Sequence, residues 1–176
     1  AVSIERDIFP RLLPRGIYAL PSSAYWLDIG TPEKYLQVHR DLLSGECCEY
    51  DPDRPRRETI GHGSHVHLSA RLIGPVVVGT NCSVGPGVKL IGPVVIGPGC
   101  TLMEGSVISD SVIWPETWVG PRVEVKHSII ADHCHLDADS VIDASVLGCN
   151  VTVCGGHHLP PGSRVPAGTT AGTRVL

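Results

Sequence analysis

The sequence predicts a mainly β fold, a parallel β-helix over residues 60–170, and three observations carry that prediction. LIGPVVVG at 72–79 returns as LIGPVVIG at 90–97, a shift of 18 residues. Ser111-Val112-Ile113, Ser128-Ile129-Ile130 and Ser145-Val146-Leu147 return at a shift of 17. Beneath both lies a period of about six, whose nineteen leading positions from Ile60 to Val165 are all aliphatic. Self-similarity of this kind marks a solenoid.

Each leader is followed four places on by a small or β-branched residue, such as Cys82, Val88, Cys100, Ser106, Thr117 or Cys134. His157 breaks that rule, and a local bulge is expected at His157 and His158. Glycine often follows the leader directly (Gly61, Gly79, Gly85, Gly97, Gly120, Gly148), where it is expected to supply backbone shapes closed to other residues. The pattern reads as a strand of a few residues and then a corner, with leader and small residue turned inward. Three such sides make one coil. About six coils stacked at about 4.8 Å give a prism roughly 30 Å long. Each coil buries its leaders only against its neighbours, so stability is nearly a sum over coils. An amphipathic helix needs apolar spacings of three and four, which this stretch does not sustain. A β-sandwich with turns every 8–12 residues or so does not predict a lock on six.

Composition agrees. Gly and Pro number 20 and 15, against one Phe and one Met, so the chain is built from tight turns. A net charge of -4 with no basic run gives nucleic-acid binding no electrostatic footing. No apolar stretch approaches the roughly 18 residues of a membrane span, and no signal peptide opens the chain. Seven cysteines without zinc-type pairs are expected to be free thiols in a reducing cytoplasm. Cys82 and Cys100 share one inward position in adjacent coils, near enough in principle for a disulfide, yet reduced packing thiols are the expectation there.

Residues 1–44 read as a small α/β unit, 45–59 as a linker containing DPDRPRRE, and 171–176 as a tail. Ser3 can cap a helix through Ile4, Ile8 and Leu12, kinked by Pro10 and stopped at Gly16. Ile17–Leu20 and Tyr25–Ile29 read as short strands. Thr31 caps a second helix with Pro32 in its first turn and Tyr35, Leu36, His39, Leu42 and Leu43 along one side. The chain opens at Ala1 and passes straight into a helical pattern, as a piece of something longer would.

The six-residue pattern resembles the hexapeptide-repeat family, which implies a left-handed coil. The string Tyr25-Trp26-Leu27-Asp28-Ile29-Gly30-Thr31-Pro32-Glu33 resembles the end of the catalytic domain in sugar-nucleotide pyrophosphorylases. Ser3-Ile4-Glu5-Arg6-Asp7-Ile8-Phe9-Pro10 is similar to the same family, especially bacterial mannose-1-phosphate guanylyltransferases. The resemblance covers nearly the whole chain. It implies that 1–44 is the remnant of a Rossmann-like nucleotidyltransferase domain, in an enzyme that joins a nucleoside triphosphate to a sugar 1-phosphate and releases pyrophosphate. It maps one of the family's two magnesium-binding aspartates onto Asp28, and a hard cation suits such an oxygen ligand. The family's G-x-G-T-R-L nucleotide loop, its following lysine, its other metal aspartate and its sugar-binding E-K pair have no counterpart here. The expectation is therefore a C-terminal portion of a longer enzyme, or a degenerate relative, inactive as it stands. Its expected partners are the missing catalytic domain and further copies joined through the β-helix.

Two other readings stand beside this one. An acetyltransferase on the same scaffold needs a basic histidine and a groove between subunits, often with a long loop leaving the coils. The leaders run from 60 to 165 without such an insertion. A non-catalytic scaffold would pair with a separate catalytic chain. His62, His65 and His67, and His133 and His135, fall on outer faces and corners, more suited to solvent or an interface than to zinc. Trp114 and Trp118 fall on outward positions of one coil, where exposed tryptophans mark a contact surface.

Overall fold

The computed structural model describes residues 2–45 and 59–172. Most of the expected linker, with Cys47 and Cys48, and residues 173–176 of the expected tail lie outside the described residues.

Short strands run from Thr59–Ile60 to Thr170–Ala171 and coil into a three-sided parallel solenoid. Leaders stack on leaders: Val78 lies opposite Ile96, Ile96 opposite Ile113, Ile113 opposite Ile130, and Ile130 opposite Leu147. Backbone bonds tie each level to the next, as in Ser83 N–H to Cys100 O at 2.9 Å and Trp118 N–H to Cys134 O at 2.9 Å. Leu90, Ile96, Leu102, Ile108, Ile130 and Ile142 are all at most 1% exposed, so the six-residue pattern is the core. One face carries seven rungs, from His65–Val66 to Thr170–Ala171. The solenoid is thus nearly seven levels tall rather than about six, because Ala171 takes a place beneath Val153 one step after the last leader.

The two repeat lengths have a local origin. Ile91 pairs with Ser109 and Val94 with Ser111, so three steps of chain on one level face two on the next. Over the following levels the coil is one residue shorter, and the last level regains the residue, since Leu147 lies opposite Val165 and Val153 opposite Ala171. The ladder at His158–Leu159 is regular, opposite Val141–Ile142, so the expected bulge at His157 and His158 is absent.

The glycines after the leaders act differently from expectation. None of Gly61, Gly79, Gly85, Gly97, Gly120 and Gly148 has a positive φ. They are needed because the next coil passes too close for a side chain: a Cβ on Gly97 would stand 2.6 Å from the Pro115 nitrogen. Left-handed backbone occurs instead two or three residues after a leader. Non-glycine residues hold it at Asn81, Glu116, His133 and Asn150 on one corner, Arg122 and Asp139 on the second, and Asp110, His127 and Ala144 on the third.

Several small inward positions settle their polar atoms on the adjacent level, whereas the buried Ser106 and Ser140 hydroxyls find no partner. The Cys82, Cys100 and Cys134 thiols donate to the carbonyls of Gly97, Trp114 and Gly148 at 3.2, 3.1 and 3.1 Å. These three, with Cys149 and Cys154, are free cysteines. Ser111, Ser128 and Ser145 form a buried ladder, in which the Ser111 hydroxyl accepts Ser128 N–H and the Ser128 hydroxyl accepts Ser145 N–H, both at 3.0 Å.

Among its described residues the N-terminal unit is helical and carries no strand. Ser3 accepts Arg6 N–H at 3.2 Å and opens a wide turn, Ile4–Ile8, followed by α1 (Phe9–Leu12) and a tight turn to Arg15. Pro10 falls in the first turn of α1, where its missing N–H costs least. Gly16, at φ 86°, ends the run. The strands expected at Ile17–Leu20 and Tyr25–Ile29 do not form, and both segments lack regular structure. A strand needs a neighbour to take its backbone bonds, and the described residues of this unit supply none. What remains of the expected α/β remnant is helices and extended chain. The second helix, α2 (Pro32–Ser44), forms as expected. Thr31 caps it, accepting Lys34 N–H at 3.3 Å, and left-handed Gly45 closes it.

Candidate functional site

The chemistry-bearing residues gather where α2 lies against the solenoid. Leu36 packs with Val112 and Ile129, flanked by Tyr35, Val95 and Val146. Arg40 Nε donates to Asp110 Oδ1 at 2.7 Å and its Nη2 to the other carboxylate oxygen, a fork-to-fork pair across 70 residues of chain. That pairing holds the guanidinium above its usual range. Trp114 Nε1 donates to the Tyr35 hydroxyl at 3.2 Å. His39 lies 4.7 Å from the Tyr35 ring, and its burial lowers its pKa. Beside this contact a cavity of about 250 Å³ opens between Pro32, Glu33 and Leu36 and the solenoid residues Ile129, Val146 and Arg164.

The other side of α2 holds the Asp28 segment. Asp41, only 6% exposed, accepts the Tyr25 hydroxyl and Gln37 Nε2, each at 2.5 Å. Three residues beyond Tyr25, the Asp28 side chain is 61% exposed and 3.8 Å from Lys34 Nζ. Gly30 lies beside that carboxylate, and a Cβ there would meet Asp28 Oδ2 at 3.4 Å, an ordinary contact. An accessible, loosely paired carboxylate fits one oxygen ligand of a magnesium ion. Among the described residues no group of three His, Cys, Asp or Glu could hold a metal by itself.

The two tryptophans part company. Trp114, 40% exposed, faces α2 of its own chain. Trp118 stacks on His135 of the next level, 4.1 Å away and nearly coplanar at 9°. His62, His65 and His67 are exposed on the first coil. His133 and His135 pair with Asp132 and Asp137 at 3.7 and 3.0 Å. Sequence reasoning missed Arg40–Asp110 and Tyr25–Asp41. The spacing of Gln37 and Asp41, one helical turn apart, signalled only their own bond within α2; nothing local announced the other two.

A three-sided solenoid of six-residue rungs, with a capped helix bolted to its flank and an exposed aspartate beyond, defines a hexapeptide-coil protein with an accessory N-terminal unit. Residues 59–164 match the family model described as the GMPPB C-terminal domain. The chain belongs to that family. It is 36% identical over 115 residues to a mannose-1-phosphate guanylyltransferase of Mycobacterium tuberculosis, covering 63% of this chain and 28% of that one. It is 31% identical over 162 residues to a mannose-1-phosphate guanyltransferase of Schizosaccharomyces pombe, covering 90% and 43%. A glucose-1-phosphate adenylyltransferase of Desulfitobacterium hafniense shares 26% over 174 residues, covering 93% and 43%. The chain therefore spans less than half the length of these relatives. Among solved structures, a hexapeptide transferase family protein from Anaplasma phagocytophilum aligns over 64% of this chain and 68% of that one, with 21% identity and a TM-score of 0.38. That likeness carries no argument.

Proposed function

We propose that this chain is the C-terminal portion of a nucleotidyltransferase that forms a nucleoside-diphosphate sugar, of the GDP-mannose type, from a nucleoside triphosphate and a sugar 1-phosphate. The observation that carries this reading is the family match over 59–164, preceded in order by the Tyr25–Glu33 string and its capped helix. In this reading residues 1–44 close the catalytic domain, 45–59 link it to the β-helix, and the β-helix serves assembly and domain positioning.

Asp28 would be one ligand of a magnesium ion, which when bound neutralises phosphate charge. This chain's own part is to present that carboxylate in the open, with Lys34 near enough to balance its charge. Side chains at the start of the segment, Tyr18, Leu20 and Trp26, are almost fully exposed, at 100, 94 and 82%. They are the surface on which a catalytic domain would rest. Assembly is proposed through the first coils, where Leu68 and Ile73 are 102 and 50% exposed. The positions stacked on Ile73 run Ile91, Ser109, Lys126 and Asp143, so the apolar character is confined to one end.

The test is the reading frame upstream of the Ala1 codon and the activity of the protein it specifies. A G-x-G-T-R-L segment there, and pyrophosphate release from GTP and mannose 1-phosphate, are expected. A protein with neither would overturn the proposal.

A further inference from the structure

We infer that Asp41 is a positioning residue for Asp28, and that α2 carries the reference from the β-helix to that carboxylate. The inference rests on the reading of Asp28 as a metal ligand and concerns how the chain holds it in place.

Tyr25 to Gly30 form no helix or strand. Such a segment stays in one place only if something fixes its ends. Both ends are fixed, and by the same helix. At one end the Tyr25 hydroxyl donates to Asp41. At the other, Thr31 is the N-cap of α2 itself. Asp28 lies midway between two anchors that sit ten residues apart on one rigid rod. A carboxylate buried as deeply as Asp41 is costly unless its lone pairs are filled. Two donors fill them: Gln37 from the same helix, and Tyr25 from sixteen residues away. The second bond is the one that does something beyond the helix.

The rod itself is referenced to the solenoid. Leu36 packs on Val112 and Ile129, and Arg40 forks onto Asp110. Asp110 stands on a left-handed corner, held by the coils above and below rather than by a free loop. The line from corner to helix to tyrosine to aspartate has no flexible member except the short stretch around Asp28. A metal ligand must be held to within about half an ångström, and this pinning supplies that without a sheet.

The test is made on the 176-residue chain by 15N relaxation, with melting temperature as the control for folding. In the parent, the order parameters of residues 26–30 should approach about 0.85, as for rigid backbone. Tyr25→Phe removes only the hydroxyl, and Asp41→Ala only the acceptor. Each should drop those residues toward about 0.6 while α2 keeps its order. Asp41→Asn still offers an oxygen to Tyr25 and should keep most of the parent's rigidity, a rescue that mere loss of bulk would not give. Asp110→Ala should move the amide resonances of both α2 and residues 25–30. Unchanged order in Tyr25→Phe and Asp41→Ala would overturn the positioning role. Shifts confined to α2 in Asp110→Ala would overturn the link to the β-helix. Mn2+ titration of the parent separates this from the reading beneath it. Failure of Mn2+ to broaden signals around Asp28, with the order parameters behaving as expected, sinks the metal role and leaves the clamp standing.

Discussion

Leu102 and Glu104 stand two residues apart, one on the axis of the solenoid and one in water. Leu102→Ala should cost about 2–5 kcal/mol by leaving a cavity that rigid coils cannot close. Glu104→Ala should stay within about 0.5 kcal/mol. Urea titration checks both, and equal costs would mean the faces are misassigned. Burial pushes the Cys100 thiol up to about 12, so almost no thiolate exists at pH 8. Native-state labelling should leave Cys100 unmodified, and mass spectrometry should find it labelled only after denaturation. At this scale the leaders were highly legible, but on one side the position four places on (Val112, Ile129, Val146) packs outward against α2, and Ser111, Ser128 and Ser145 take the inward place. The glycines were misread: sequence alone shows that Gly97 lacks a side chain, but not that Pro115 of the next level is what forbids one.

Elements obey neighbours more than propensities. Gly97→Ala would press a methyl into backbone that cannot swing aside, and should cost about 1–3 kcal/mol by urea titration. Gly105→Ala meets nothing nearer than the flexible Arg122 side chain at 3.5 Å, and pays mainly for its left-handed backbone, about 1–2 kcal/mol. α2 was readable from Thr31, Pro32 and its apolar side, whereas the strands at Ile17–Leu20 and Tyr25–Ile29 were not formed. Their residues have strand character, but strands exist only in pairs, and pairing is not a local property. His39 gives the helix contact a pH dependence. Desolvation lowers its pKa below the ordinary value of 6.5, so the folded state resists charging it. Its contribution is whole above that value and is lost as the pH falls from there through the lowered one. The melting temperature should therefore fall between pH 7 and pH 5 in the parent, and fall less in His39→Gln.

For the whole molecule, the coils were legible because a repeat writes the same long-range contact many times over. The junction with α2 was not, because Arg40 and Asp110 meet once, 70 residues apart. The same contrast governs assembly. The apolar end at Leu68, Ile73 and Ile91 should make the chain larger than a monomer in light scattering, and Ile91→Lys should shift it toward one. The junction also limits how the solenoid can change length. Val95, Val112, Ile129 and Val146 climb four successive levels beneath α2, which is 13 residues long. A rod of about 20 Å splinted along roughly 14 Å of stack works like a gauge block. A turn spliced in under it would drag Asp110 away from Arg40, while a turn added at either tip would leave every bolt where it is. Growth and shrinkage of this architecture are thereby confined to its ends.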